Sequence, residues 1–158
     1  MLKNIDPVLS PELLKILAEM GHGDAIVLAD ANFTAMRYRA GTTSQTVVQL
    51  PGVGLLRAAQ AVLSLLPLGV PAEMPVAYMQ VTELPAGQAS QVQKDVIALV
   101  QAEPLHAGLK HGIGPQALER FAFYEQAKTA YVIVQTGEQQ PYANFIFKKG
   151  VIANALIM

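Results

Sequence analysis

The feature that most constrains this chain is "AIVLA", Ala25 to Ala29, an apolar run that stops on Asp30. A strand with one wet face alternates apolar and polar residues, so a short run that is apolar throughout predicts a strand covered on both faces. Both sides of the sheet then need a layer of helices. Helical and strand-like segments alternate along the rest of the chain as such layers require. Ser10, Pro11 and Glu12 form a helix start, with a hydroxyl for an orphan amide and a proline preset for the first turn. Leu13, Leu14, Ile16, Leu17 and Met20 supply its buried stripe, and Gly21 is expected to close it in a left-handed conformation.

Further strands are expected at Thr46 to Leu50, Met74 to Val81, Tyr131 to Thr136 and Asn144 to Gly150, and helices at Gly52 to Leu66 and Ser90 to Gln101. Gln116 to Ala130 reads as helical throughout, with "ALERF" open to a second reading as a strand feeding a helix. No internal repeat, low-complexity tract or linker divides the 158 residues. The expectation is a single α/β domain over residues 1–158, three layers deep, with a mostly parallel sheet and helices on both faces.

Charged residues make up 15% of the chain and apolar ones 52%, against roughly 25% charged in ordinary soluble proteins. Part of the apolar excess is expected to be buried between subunits, which predicts a homo-oligomer. A net charge of -1 with scattered basic residues offers no stripe for phosphates, so nucleic acid is not an expected partner. Without cysteine there is no disulfide and no thiolate metal site. The start "MLKNIDPVLSPELL" lacks the pattern of a signal peptide, and cytoplasmic residence is expected. Gly52 to Val70 is the most apolar stretch, but Arg57, Gln60 and Pro67 interrupt it, so a buried helix is expected and no membrane span.

Several motifs carry chemistry and a plainer reading side by side. "PGVGLLR" has only a partial likeness to the start of a dinucleotide fingerprint, because Arg57 stands where the third glycine belongs, and the reading favoured is a plain helix N-terminus. His106 and His111 lie five apart, off the spacing that puts two metal ligands on one helix face. Asp24, Asp30 and Glu83 cannot be paired across a cleft from sequence alone. His22, between Gly21 and Gly23, is either a polar residue in a capping loop or a proton carrier, since imidazole exchanges protons near neutral pH. Asp30 closes a buried strand where α/β sheets bind ligands, or it caps the following turn. Tyr142 and Asn144 are turn residues, or a flat face and a donor–acceptor pair suited to adjacent hydroxyls.

In order and spacing, "SPELLKILAEMGHGDAIVLADANF", "RFAFYEQAKTAYVIVQTGE" and "PYANFIFKKGV" resemble the L-fucose mutarotase and D-ribose pyranase family, the first two blocks being closer to the fucose branch. The resemblance spans nearly the whole chain. It implies a cofactor-free, metal-free isomerase that exchanges ring forms of a reducing monosaccharide and assembles as a ring-shaped homo-oligomer, often a decamer. It places the catalytic histidine on His22, a sugar-binding aspartate on Asp30, and the Tyr-x-Asn loop on Tyr142, Ala143 and Asn144. Arg120 falls where the ribose branch carries histidine, and Tyr124 lines the pocket. Asn32 and Thr34 depart from a histidine and a proline of the fucose branch, and "MRYRAGTTSQ" departs too.

The implied chemistry moves one proton off the anomeric hydroxyl and another onto the ring oxygen, which calls for an acid and a base within hydrogen-bond reach. His22 takes that role. Arg120 holds hydroxyls or steadies an oxyanion, and Tyr142 packs on the apolar face of the sugar. His22 precedes the strand and Asp30 ends it, so about five residues at roughly 3.3 Å each hold them on the order of 17 Å apart. Either the chain bends sharply, or the pocket is shared and His22 of one subunit meets Asp30 of its neighbour, the arrangement expected here. Pyranose–furanose exchange and non-catalytic sugar binding are the alternative functions.

Overall fold

The structure, a computed structural model, describes residues 1–103 and 113–152, so His106 and His111 lie outside the described residues. The chain runs α1 (Pro11–Glu19), β1 (Ala25–Ala29), α2 (Ala35–Tyr38), β2 (Val47–Leu50), α3 (Leu55–Leu63), β3 (Val76–Met79), α4 (Gln91–Ala102), β4 (Gln116–Leu118), α5 (Arg120–Ala127), β5 (Val132–Thr136) and β6 (Phe145–Lys148). Short 3-10 turns follow α2 and precede β3.

Six strands form one sheet in the order β2-β5-β1-β6-β3-β4. β1 and β2 each pair parallel to β5, and β3 pairs parallel to β4. Among the described residues only β6 runs the other way, wedged antiparallel between β1 and β3. The sheet is therefore mostly parallel, and its one reversed strand lies near the middle.

β1 shows why its run had to be apolar throughout. Ile26 and Leu28 face a core shared with α1, α3 and α4, while Val27 and Ala29 face a second core with Phe33, Phe123 and Ala127 from α5 and the β1–α2 segment. All four are without exposed surface. Helices thus cover both faces, giving the three layers expected.

Ser10 caps α1 by accepting from the Leu13 amide at 3.2 Å, with Pro11 in the first turn. The left-handed glycine at its end is Gly23, at φ 85°, and not Gly21. Gly21 instead donates its amide to Asp24 Oδ2 at 2.7 Å, so the turn is tied two residues later than helix closure requires. α3 is shorter than Gly52 to Leu66, because Gly54 caps it and its regular turns end at Leu63. Gln116 to Ala130 takes the second reading: β4, then Glu119, whose carboxylate accepts the Phe121 and Ala122 amides and starts α5. α2 was not foreseen, since four residues carry too little periodicity to read.

At the start of α3, the Leu55 amide donates to Glu138 Oε2 at 3.3 Å, which sets a carboxylate where a phosphate would sit. The loop bearing Glu138 lies close: a Cβ on Gly137 would stand 2.2 Å from the Pro51 carbonyl oxygen, so only glycine fits. Among the described residues no helix is long and apolar enough to cross a membrane.

Candidate functional site

The reversed strand creates the site. Because β6 runs against β1 and β3, its first residues lie beside their last ones, with Phe145 in register with both Leu28 and Tyr78. Asn144, one residue earlier, therefore meets Asp30 and Met79.

The Asp30 amide donates to Asn144 Oδ1 at 2.8 Å, and Asn144 Nδ2 donates back to Asp30 Oδ2 at 3.0 Å. The Asn32 amide donates to the other carboxylate oxygen at 2.9 Å, closing the turn after β1. Gln135 braces that turn from β5 by donating Nε2 to the Ala31 and Phe33 carbonyls. Asp30 is 4% exposed and Asn144 2%. Burial pushes the Asp30 carboxyl above the usual aspartate range, while the Asn32 amide, the Asn144 side chain and the Phe33 amide pull against it and the Glu138 charge adds to the rise. The carboxylate keeps lone pairs beyond those two bonds, which can accept hydroxyls from a ligand.

This pair forms one wall of a cavity of about 800 Å³. Arg120 and Tyr124, at the start and middle of α5, line the same cavity, as does Tyr142. Tyr124 is fixed by rings, with centroids 5.7 Å from Phe33 and 5.8 Å from Tyr38, so the unforeseen α2 buttresses the pocket. Burial raises the Tyr124 phenol above its ordinary range against the pull of Arg120; Tyr38, Asp30 and Tyr142 add to the rise. The Arg120 guanidinium carbon lies 4.9 Å from the Phe121 ring centre. Tyr142 donates its phenol to Glu83 Oε1 at 3.1 Å and holds a left-handed backbone, φ 62°.

Five of the residues singled out in the sequence thus line one cavity: Asp30, Arg120, Tyr124, Tyr142 and Asn144. Ala143 is fully buried in the core behind them, where it sets the spacing between Tyr142 and Asn144. Glu83 and Asn32 also line the cavity; Asp24 does not.

His22 lies elsewhere. It sits before β1, at the opposite end of the strand from Asp30, and is not part of the cavity wall. Its Nε2 donates to Glu73 Oε1 at 2.7 Å, because a carboxylate can only accept. Glu73 is itself tied by Oε2, which accepts the Val70 amide at 3.2 Å. The His22 side chain is 54% exposed, with Nδ1 left for another partner. The chain does not bend to join the two ends, so His22 and Asp30 cannot share one sugar within a single subunit.

Sequence reasoning missed Glu73, Gln140 and Gln93. Only Gln93 carried a signal, as the residue three after Ser90 in a helix-start pattern, and that signal spoke of capping alone. Among the described residues no group of three or more His, Cys, Asp or Glu is placed to hold a metal.

The sequence model of the RbsD / FucU transport protein family matches residues 3–152. A fucose mutarotase of Bos taurus is 41% identical over 152 residues, covering 96% of this chain and 95% of its own. The fold is similar to the fucose mutarotase in complex with L-fucose from Streptococcus pneumoniae, with TM-score 0.78 and 34% identity over 96% of this chain and 100% of that one. It is also similar to Bacillus subtilis RbsD complexed with D-ribose, with TM-score 0.69 and 25% identity over 97% of this chain and 100% of the other.

Proposed function

The chain belongs to the RbsD / FucU transport protein family, and from that premise we propose that it is a mutarotase, an isomerase that exchanges the anomers of L-fucose or a closely related reducing monosaccharide. The observation that carries the reading is the Asp30–Asn144 pair, buried and mutually hydrogen-bonded on the wall of a cavity that also presents Arg120, Tyr124 and Tyr142. Such a wall offers acceptors, donors and flat apolar faces to a hydroxyl-rich ring.

Asp30 and Asn144 hold hydroxyls, Arg120 steadies the oxygen that gains charge as the ring opens, and Tyr142 packs on the sugar face. The proton carrier is His22 of a neighbouring subunit. Its Nε2 proton is committed to Glu73, so Nδ1 takes the proton from the anomeric hydroxyl and returns one to the ring oxygen. The ring opens to the aldehyde, the carbonyl turns over, and closure gives the other anomer. No cofactor enters.

Exposed apolar groups support the shared arrangement. Val70 and Met74 flank Glu73, and Val151 and Ile152 follow β6, all between 37% and 69% exposed. At the cavity end Phe121 is 61% exposed beside Arg120. Burying one set against the other would hide apolar surface and bring His22 to a neighbour's cavity. A ring-shaped homo-oligomer, decameric as in the family, and cytoplasmic residence belong to the same reading.

Pyranose–furanose exchange is the second reading. Arg120 speaks against it, as does the lower identity to the D-ribose-bound relative than to the L-fucose-bound one. NMR magnetisation exchange between anomeric protons of L-fucose tests the proposal: the protein should speed the exchange and His22→Ala should slow it. A sugar that binds without faster exchange would identify a mere binding protein.

A further inference from the structure

Gln93 is a fully buried polar side chain in the first turn of α4, and its amide bonds to three different segments. Its Oε1 accepts the Ser90 amide at 3.0 Å, inside its own helix start. Its Nε2 donates to the Met79 carbonyl at the end of β3 and to the Tyr142 carbonyl, each at 2.8 Å. Both N–H groups and one oxygen lone pair are therefore used, so the side chain has one way to sit.

What it holds is the binding turn. Tyr142 occupies left-handed backbone space at φ 62°, a conformation rarely adopted by a bulky L-residue unless its surroundings impose it. Its carbonyl receives two donors, Gln93 Nε2 and the Asn144 amide at 2.8 Å. Met79 in turn donates its amide to the Asn144 carbonyl at 3.1 Å. Gln93 thus grips both sides of the junction at which β3 and the Tyr142–Asn144 turn meet. Helix capping needs only its oxygen. The two donors reach into the site.

We infer that Gln93 is a positioning residue that presets the Tyr142–Asn144 turn for sugar before any sugar arrives. It touches no substrate and moves no proton; removing its donors lets Tyr142 relax toward ordinary backbone space and carries its phenol away from Glu83. Resting on the mutarotase reading above, the inference specifies where the effect falls: on binding, with the chemical step left intact.

Two variants test it in the full-length protein. Gln93→Met keeps the side-chain length and removes every polar atom, while Gln93→Glu keeps the acceptor for the Ser90 amide, hence the helix start, and removes both donors. Kd and KM for L-fucose and D-ribose are measured by NMR titration and magnetisation exchange, alongside the backbone amide signals of the free proteins. Expected is a rise in Kd and KM of roughly tenfold or more with kcat within about twofold, and displaced Tyr142 and Asn144 amide signals while those of α1 and β5 stay in place. Unchanged Kd and unmoved Tyr142 signals in a folded variant overturn the inference, as does a fall in kcat at constant KM. Loss of the native fold in both variants makes Gln93 a general structural residue and overturns it as well. A wild-type protein that fails to speed exchange sinks the mutarotase reading alone, because the Tyr142 signals still report on Gln93.

Discussion

At one end of β1, Asp30 is 4% exposed and locked to Asn144, Asn32 and the turn after the strand; at the other, His22 has 54% of its side chain in solvent and its ring rests on Glu73. The first end is rigid, with donors and acceptors fixed by buried hydrogen bonds, and in the proposed reading it receives the sugar. The second carries a titratable group on a glycine-flanked loop, with no part in the cavity. In the proposed reading these ends are a receptor without a proton carrier and a carrier without a receptor, two halves of one site contributed by different copies. The strand that keeps them apart in one subunit would then set the spacing from one site to the next.

The sharpest break between the two ends comes from His22→Ala. Loss of the proton carrier should lower kcat for anomer exchange by about 10²- to 10⁴-fold while sugar affinity changes little, as read by magnetisation exchange and titration. Asp30→Ala should do the reverse, weakening L-fucose binding by roughly tenfold or more, because it removes an acceptor and leaves the Asn144 Nδ2 and the Asn32 amide without their partner. If the two variants gave the same split between kcat and KM, the division of labour would be wrong.

Glu73→Leu sharpens the picture of the exposed end. Without a carboxylate on Nε2 the imidazole is free to turn and to change tautomer, so kcat should fall by about tenfold at unchanged KM. The thermal midpoint should hardly move, since the pair is solvent-exposed. A normal kcat in this variant removes Glu73 from the account.

The smallest effect is on stability. Burial raises the Asp30 carboxyl above the ordinary aspartate value of about 3.9. The folded state therefore holds that proton to higher pH than the unfolded chain does. Asp30's contribution is greatest below the unfolded value, declines as pH rises through the raised folded value, and is level above it. Urea unfolding of wild type and Asp30→Asn across this acid range should show their stability difference moving against the wild type as pH rises. A difference that stays flat, or moves the other way, contradicts the assigned cause.

Much of this was legible in the chain because local rules dominate where it was read. β1 falls on Ala25–Ala29 as its apolar run requires, and Ser10 and Ser90 cap α1 and α4. The cavity residues were legible as a set only through family resemblance, since the closeness of Asp30 to Asn144 depends on β6 running backwards between β1 and β3, a matter of topology that periodicity does not encode. Gly21 was misassigned because either glycine beside His22 could turn the chain, and the Asp24 carboxylate on the Gly21 amide decided for Gly23. Glu73 and Gln93 stayed hidden for a different reason. Each serves its own helix start, which sequence can suggest, and also a partner distant in the chain, which it cannot.

The most direct measurement mixes the two crippled chains. His22→Ala and Asp30→Ala proteins are unfolded together in equal amounts, refolded, and assayed for anomer exchange. If one copy's imidazole serves another copy's carboxylate, random assembly restores about one quarter of the wild-type sites, and activity should return to that level. Activity no higher than that of either variant refolded alone would contradict a site built from two subunits.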